Sequence, residues 1–114
     1  MDLRYPDGTV DSIAGTSGGT KANATEDDLI EALAALERGE IEYVILEDPK
    51  TDLFMQAAGD GSGGYLVQYN LPNEDAMLQA RGEVTGTQVT DALTSFLNND
   101  PTWRTLFQWE RISY

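Results

Sequence analysis

An α+β fold, in which an antiparallel sheet of four or five strands carries two helices on one face, follows from three features of this 114-residue sequence. Two segments, near residues 26–38 and 86–98, carry complete amphipathic helix signals. Between them lie four strand-like runs joined by tight turns, which favours antiparallel neighbours over long crossovers. A final aromatic run after the second helix alternates apolar and polar residues. The expected order is α-β-β-β-β-α-β, in one domain spanning 1–114, because a chain of this length supports a single modest core.

The chain opens with a short strand around Leu3 and Tyr5, cut off by Pro6-Asp7-Gly8, and continues into a flexible Gly/Ser/Thr-rich connector over 14–24. Thr25 then stands as an N-cap, and Glu26, Asp27 and Asp28 complement the positive end of the helix that follows. Leu29, Ile30, Leu33 and Leu36 form its apolar stripe, Ala32 and Ala35 permit close approach, and Gly39 supplies the stop. The first long strand, 41–46, should place Tyr43 and Ile45 on one face and Val44 and Leu46 on the other. Strands over 53–58, 65–71 and 77–81 follow, separated by the turn 47–52, a glycine-rich loop and Pro72-Asn73-Glu74-Asp75.

The second helix has the more complete signature. Thr85 with Gln88 makes a capping box, and Val84 with Val89 is spaced for a hydrophobic staple. Val89, Ala92, Leu93, Phe96 and Leu97 repeat on one helical stripe, and Asn98-Asn99-Asp100-Pro101 ends it, since a residue before proline leaves the α region. Phe107 and Trp109 alternate with Gln108 and Glu110 and read as a strand lying against the helix that carries Phe96. Phe96 and Phe107 are the expected core anchors.

Twenty acids against seven bases give a net charge of −13 and a pI near 4.1. Such a chain repels nucleic acid and anionic membrane, and it attracts basic protein surfaces; plain solubility is the alternative meaning of the charge. The acids concentrate over 26–60, eleven against two bases. With no cysteine and no histidine, disulfide frameworks, Cys/His zinc sites, thiol nucleophiles and Ser-His-Asp chemistry are excluded. Paired carboxylates cleave glycosides only when a cleft holds them at a set separation, and nothing in the pattern builds one. The oxygen spacing of a calcium loop is also absent. Gly59-Asp60-Gly61-Ser62-Gly63-Gly64 satisfies G-x-G-x-x-G by letter, but a strand follows it where a dinucleotide site needs a helix, so it reads as a hairpin loop. The expectation is therefore no catalytic residue, no metal and no cofactor. No apolar run approaches the roughly 18 residues of a spanning helix, and the start lacks a secretion signal, which gives a soluble, cytoplasmic expectation. Tyr65 and Tyr69 lie on one strand face, where core and interface roles are equally open.

The run from Tyr65-Leu-Val-Gln-Tyr69 through the Val84-Thr85 cap, the helix ending Phe96-Leu97, the proline turn and the closing Trp109-Glu110 resembles an immunity protein of bacterial polymorphic-toxin systems. It is most similar to the family numbered first among them, whose genes neighbour toxins of the deaminase superfamily. The resemblance covers roughly residues 41–112. It implies no enzyme activity, and a function in binding and neutralising a cognate toxin directed at nucleic acid. Carboxylates would then meet the basic groove of the toxin, with Asp48, Asp52, Glu74 and Asp75 at one end of the sheet and Asp60 in the loop at the other. Tyr65 and Tyr69 would be the buried anchors if their face is not core. The rival expectation is an acidic α+β domain of unrelated housekeeping or phage role, with no toxin partner.

Overall fold

A computed structural model of the chain describes residues 1–5, 20–59, 63–71 and 76–113. The architecture is α+β. Among the described residues ten elements follow in order: β1 (Asp2–Arg4), β2 (Thr20–Lys21), α1 (Glu26–Glu37), β3 (Tyr43–Asp48), β4 (Leu53–Gly59), β5 (Tyr65–Leu71), β6 (Ala76–Ala80), α2 (Gly86–Leu97), α3 (Trp103–Leu106) and β7 (Trp109–Ser113). Among the described residues the sheet has seven strands in the order β2-β1-β3-β4-β5-β6-β7, every pairing antiparallel.

Four or five strands were expected; the added strands come at the start of the chain, and an added helix comes near its end. β1 pairs with β3, and Thr20–Lys21 pairs with β1, so the end of the expected connector is a strand. Asn23 turns the chain with a left-handed φ of 52°, and the Ala24 amide donates to the Met1 carbonyl at 2.8 Å. At the other end a four-residue helix stands between α2 and the closing strand, so Phe107 precedes β7 and is only half-buried. Trp103, buried to 4% exposure, takes the core place expected of Phe107.

The register assigns the two sheet faces. Val44, Leu46, Met55, Ala57 and Val67 lie on one face and are fully buried beneath the helices. Tyr65 and Tyr69 share that face with Val67 and pack against the same core. The condition for their serving as anchors on an uncovered face is therefore not met. On the opposite face Tyr43, Ala58 and Leu66 form one cross-strand row, and Ile45, Gln56, Gln68 and Gln79 the next. The three glutamines form a ladder, Gln56 Nε2 donating to Gln68 Oε1 at 2.5 Å and Gln68 Nε2 to Gln79 Oε1 at 2.7 Å.

Both long helices begin as the sequence dictates, with reciprocal capping boxes at Thr25/Asp28 and Thr85/Gln88. α1 buries Leu29, Ala32, Leu33, Ala35 and Leu36, but Ile30 is 45% exposed. The stripe was drawn one residue too wide: positions 29, 32/33 and 36 fill the face toward the sheet, and 30 falls on the flank toward α2. α2 buries Val89, Ala92, Leu93, Ser95 and Phe96.

Two outcomes check this packing. Replacing Phe96 by alanine should cost about 3–5 kcal/mol, and a chemical-denaturation loss below about 1 kcal/mol would mean the ring is not core. The Thr25 backbone N–H, followed by the Thr25 hydroxyl, holds the Asp28 carboxyl below its usual 3.8. A depressed carboxylate stabilises the fold above the unfolded-state value and ceases to do so as pH falls through the lower folded-state value. The variant Asp28→Asn should therefore lose stability at neutral pH and show a smaller further loss on acidification than the parent, read as melting temperature against pH.

Candidate functional site

The antiparallel register puts the β3–β4 turn and the facing ends of β5 and β6 at one end of the sheet, and the β4–β5 connection at the other. Of the seven residues singled out from the sequence, Asp60, Glu74 and Asp75 lie outside the described residues. Asp48 and Asp52 sit at the first of these ends. Tyr65 and Tyr69 are on the helix-covered face, as described above.

The β3–β4 turn is held from within. Asp48 Oδ1 accepts from the Lys50 amide at 3.0 Å, and the Asp48 carbonyl accepts from the amides of Thr51 and Asp52 at 3.3 and 3.0 Å. Asp52 adopts a left-handed φ of 59°, a conformation that aspartate tolerates better than most side chains. Asn70 then clamps the turn to β5, its Nδ2 donating to the Asp52 carbonyl and its Oδ1 accepting from the Phe54 amide, each at 2.8 Å. Sequence reasoning passed over Asn70. A polar residue at an outward strand position is ordinary, and only the register reveals the turn beside it.

Facing this turn is the connection from α2 to α3, where Asn99 takes a φ of 57°. The Asp100 carboxylate accepts from the Thr102 hydroxyl at 2.6 Å and the Thr102 amide at 3.0 Å. Those bonds, the hydroxyl's first, hold its carboxyl below the usual range. Ser95 fastens the turn to the helix: its hydroxyl donates to the Asp100 carbonyl at 2.6 Å and accepts from the Trp103 amide at 3.1 Å. Between the two turns lies a crevice of about 160 Å³. Leu53, Phe96 and Trp103 form its apolar wall, and Asp48, Asp100 and Arg104 stand around it.

An aromatic cluster supports the wall. Trp103 meets Tyr69 edge-to-face at 4.7 Å between centroids, Phe96 at 5.7 Å and Trp109 at 6.0 Å. Tyr69 also meets Trp109 at 4.8 Å, and Phe107 meets Trp109 at 5.4 Å. Trp109 Nε1 donates to the Arg104 carbonyl at 3.1 Å, and the Arg104 guanidinium lies 5.0 Å from the Trp103 ring centroid. Burial raises the Tyr69 hydroxyl above its ordinary value, with Arg104 opposing.

The acidity is not confined to the turns. Glu26, Asp27, Glu31 and Glu37 are exposed along α1, and Asp91 along α2. Arg38 is engaged with Glu40, its Nε at 2.7 Å. The sequence assigns the first-turn acids to the helix dipole and the acids over 26–60 to a solvated face, with an acidic protein-binding face as the alternative. Among the described residues no group of three or more acidic side chains is placed to hold a metal ion. No described helix is long and apolar enough to cross a membrane. The chain matches no protein-family model, and no curated protein and no solved structure is significantly similar to it.

The Ser95 hydroxyl is the pin of this arrangement, since its removal leaves the Trp103 amide without a partner in the core. Ser95→Ala should cost about 1–3 kcal/mol, the usual penalty for an orphaned buried donor. Equilibrium unfolding measures it, and tryptophan fluorescence should shift with the altered Trp103 setting. An unchanged midpoint would show that the turn is held by other means.

Proposed function

We propose that this protein is an immunity protein, which binds and neutralises a cognate bacterial toxin directed at nucleic acid by blocking the toxin's substrate-binding face. The structural observation that supports the reading is the crevice at the end of the sheet, where Asp48 and Asp100 from two separate turns stand beside an apolar wall of Leu53, Phe96 and Trp103, with Arg104 also lining it. Asp52 belongs to the same turn as Asp48. Carboxylates held beside apolar surface complement a protein groove evolved to hold phosphates, which presents Arg and Lys among apolar walls. A net charge of −13 steers such a partner into encounter and keeps phosphate backbones away. The turns are stiffened by internal hydrogen bonds before any partner arrives, which lowers the ordering cost of binding. The toxin reading itself comes from the resemblance of residues 41–112; the crevice supplies a surface suited to it.

The experiment is co-expression with the toxin encoded beside this gene, together with the rate of complex formation. Asp48→Lys combined with Asp52→Lys should slow association by about tenfold at low salt and flatten its salt dependence, because rim charges act mainly on the on-rate. Failure of the unaltered protein to protect cells or form a complex would return the acidity to a solubility role.

A further inference from the structure

α1 and α2 lie side by side, and where the last turn of α1 meets the first turn of α2 a notch of about 130 Å³ opens to solvent. Ile30, Ala34 and Val89 give it apolar walls, and Tyr65, Glu37 and Gly86 complete it. Gly86 keeps the notch open. A Cβ built there meets nothing nearer than Tyr65 Cε2 at 3.7 Å and Glu37 Oε1 at 3.8 Å, and the backbone lies outside the left-handed region. Neither crowding nor φ therefore demands glycine at this first position of the helix.

The electrostatics of the notch are one-signed. The last turn of α1 carries no basic residue, and Arg38 is paired with Glu40. Among the described residues no cation is paired with Glu37. The partial charges of the two helix ends that meet here, negative for α1 and positive for α2, oppose one another and leave the Glu37 carboxylate as the local charge. Ile30 extends the apolar wall onto the surface at 45% exposure.

We infer that this notch receives a basic side chain, arginine in preference to lysine, projected by the protein partner. Its apolar walls suit the methylene stem, and the carboxylate suits the charged head. Tyr65 adds a ring against which a planar guanidinium stacks better than an ammonium. The inference rests on the reading that the partner is a basic protein, and it adds a contact at a second place. α2 has its first turn at the notch and its last at the crevice, about 18 Å apart for twelve residues. Both therefore fit within one interface of about 800 Å² per partner. Ile30 and Thr90 also line the groove that continues along the two helices toward Asp100, so the strip between them is unbroken.

Oligo-arginine and oligo-lysine peptides are the probes, titrated against the whole protein at about 0.15 M salt to screen long-range attraction. Amide NMR shifts should concentrate at Glu37, Tyr65, Gly86 and Val89, with arginine binding tighter. Gly86→Met, which fills the notch without changing charge, and Glu37→Gln, which keeps its shape, should each weaken oligo-arginine by about fivefold. Glu31→Gln, an equal loss of charge outside the notch, should change it by less than about twofold. Gly86→Met should not lower the melting temperature; if it does, Gly86→Ala replaces it, since its Cβ stands at ordinary contact distance. Equal effects of Glu31→Gln and Glu37→Gln, no effect of filling the notch, or shifts confined to Asp48, Asp52 and Asp100 would each overturn the inference. None of those outcomes touches protection by the intact protein in co-expression, which tests the function separately.

Discussion

Trp103 is the joint on which the helix layer and the sheet both bear. It is nearly inaccessible and meets a ring from α2, one from β5 and one from β7. Edge-to-face pairs of this kind contribute about 0.5–1.5 kcal/mol each beyond burial, so three of them supply a sizeable fraction of the roughly 5–15 kcal/mol by which a domain is stable. Geometry matters as much as energy. Trp103 can occupy this position only because the chain turns at Asn99 and Asp100 and restarts as a helix within three residues, and Ser95 bonds both sides of that turn. The same turn carries Asp100 to the crevice. Core packing and the chemistry of the surface are thus one construction.

The elements that declared themselves in the sequence are those whose signals are local. Both capping boxes, the antiparallel arrangement of the central strands and the stop at Asn98–Pro101 depend on residues a few positions apart, and each is present. What stayed hidden depends on distant partners. Thr20–Lys21 is a strand only because β1 lies beside it, and nothing in those two residues announces it. Asn70 looks like any outward polar residue until the register sets it beside Asp52. The α3 helix escaped notice for a different reason. Asp-Pro does end α2, but the Asp100 carboxylate also accepts from the Thr102 amide and hydroxyl and so shapes the turn from which α3 starts. Tyr65 and Tyr69 show the limit of period-two reasoning. It placed them together on one face, but only the helices determine which face is covered.

Two surfaces, the uncovered sheet face and the helix side, differ in how they meet solvent. On the uncovered sheet face, Tyr43 and Leu66 stand at 37% and 38% exposure across Ala58. Scattered apolar exposure of that size is normal for a folded protein. The glutamine ladder runs beside this row with its amides already bonded to one another, which interrupts the apolar surface and weakens its pull on another sheet. The sheet's outer strands are guarded in the same manner. β2 has only two residues, and β7 presents Glu110 and Arg111, both common ways of discouraging edge-to-edge pairing.

The helix side is built in the opposite sense. Its exposed acids on α1 are met by no base on α2, and self-repulsion among them opposes folding rather than assisting it. Glu37 stands at the helix end where the dipole disfavours a carboxylate, and Gly86 leaves open a space beside it that neither crowding nor φ requires. The acids and the placement of Glu37 are unfavourable to the isolated chain, and a cation beside them would reverse that sign. Local rules broken without a structural return mark surfaces whose energetics are completed by something else. By that criterion the strip along α2, from the notch at its first turn to the crevice at its last, is the surface we propose for a partner in preference to the sheet face.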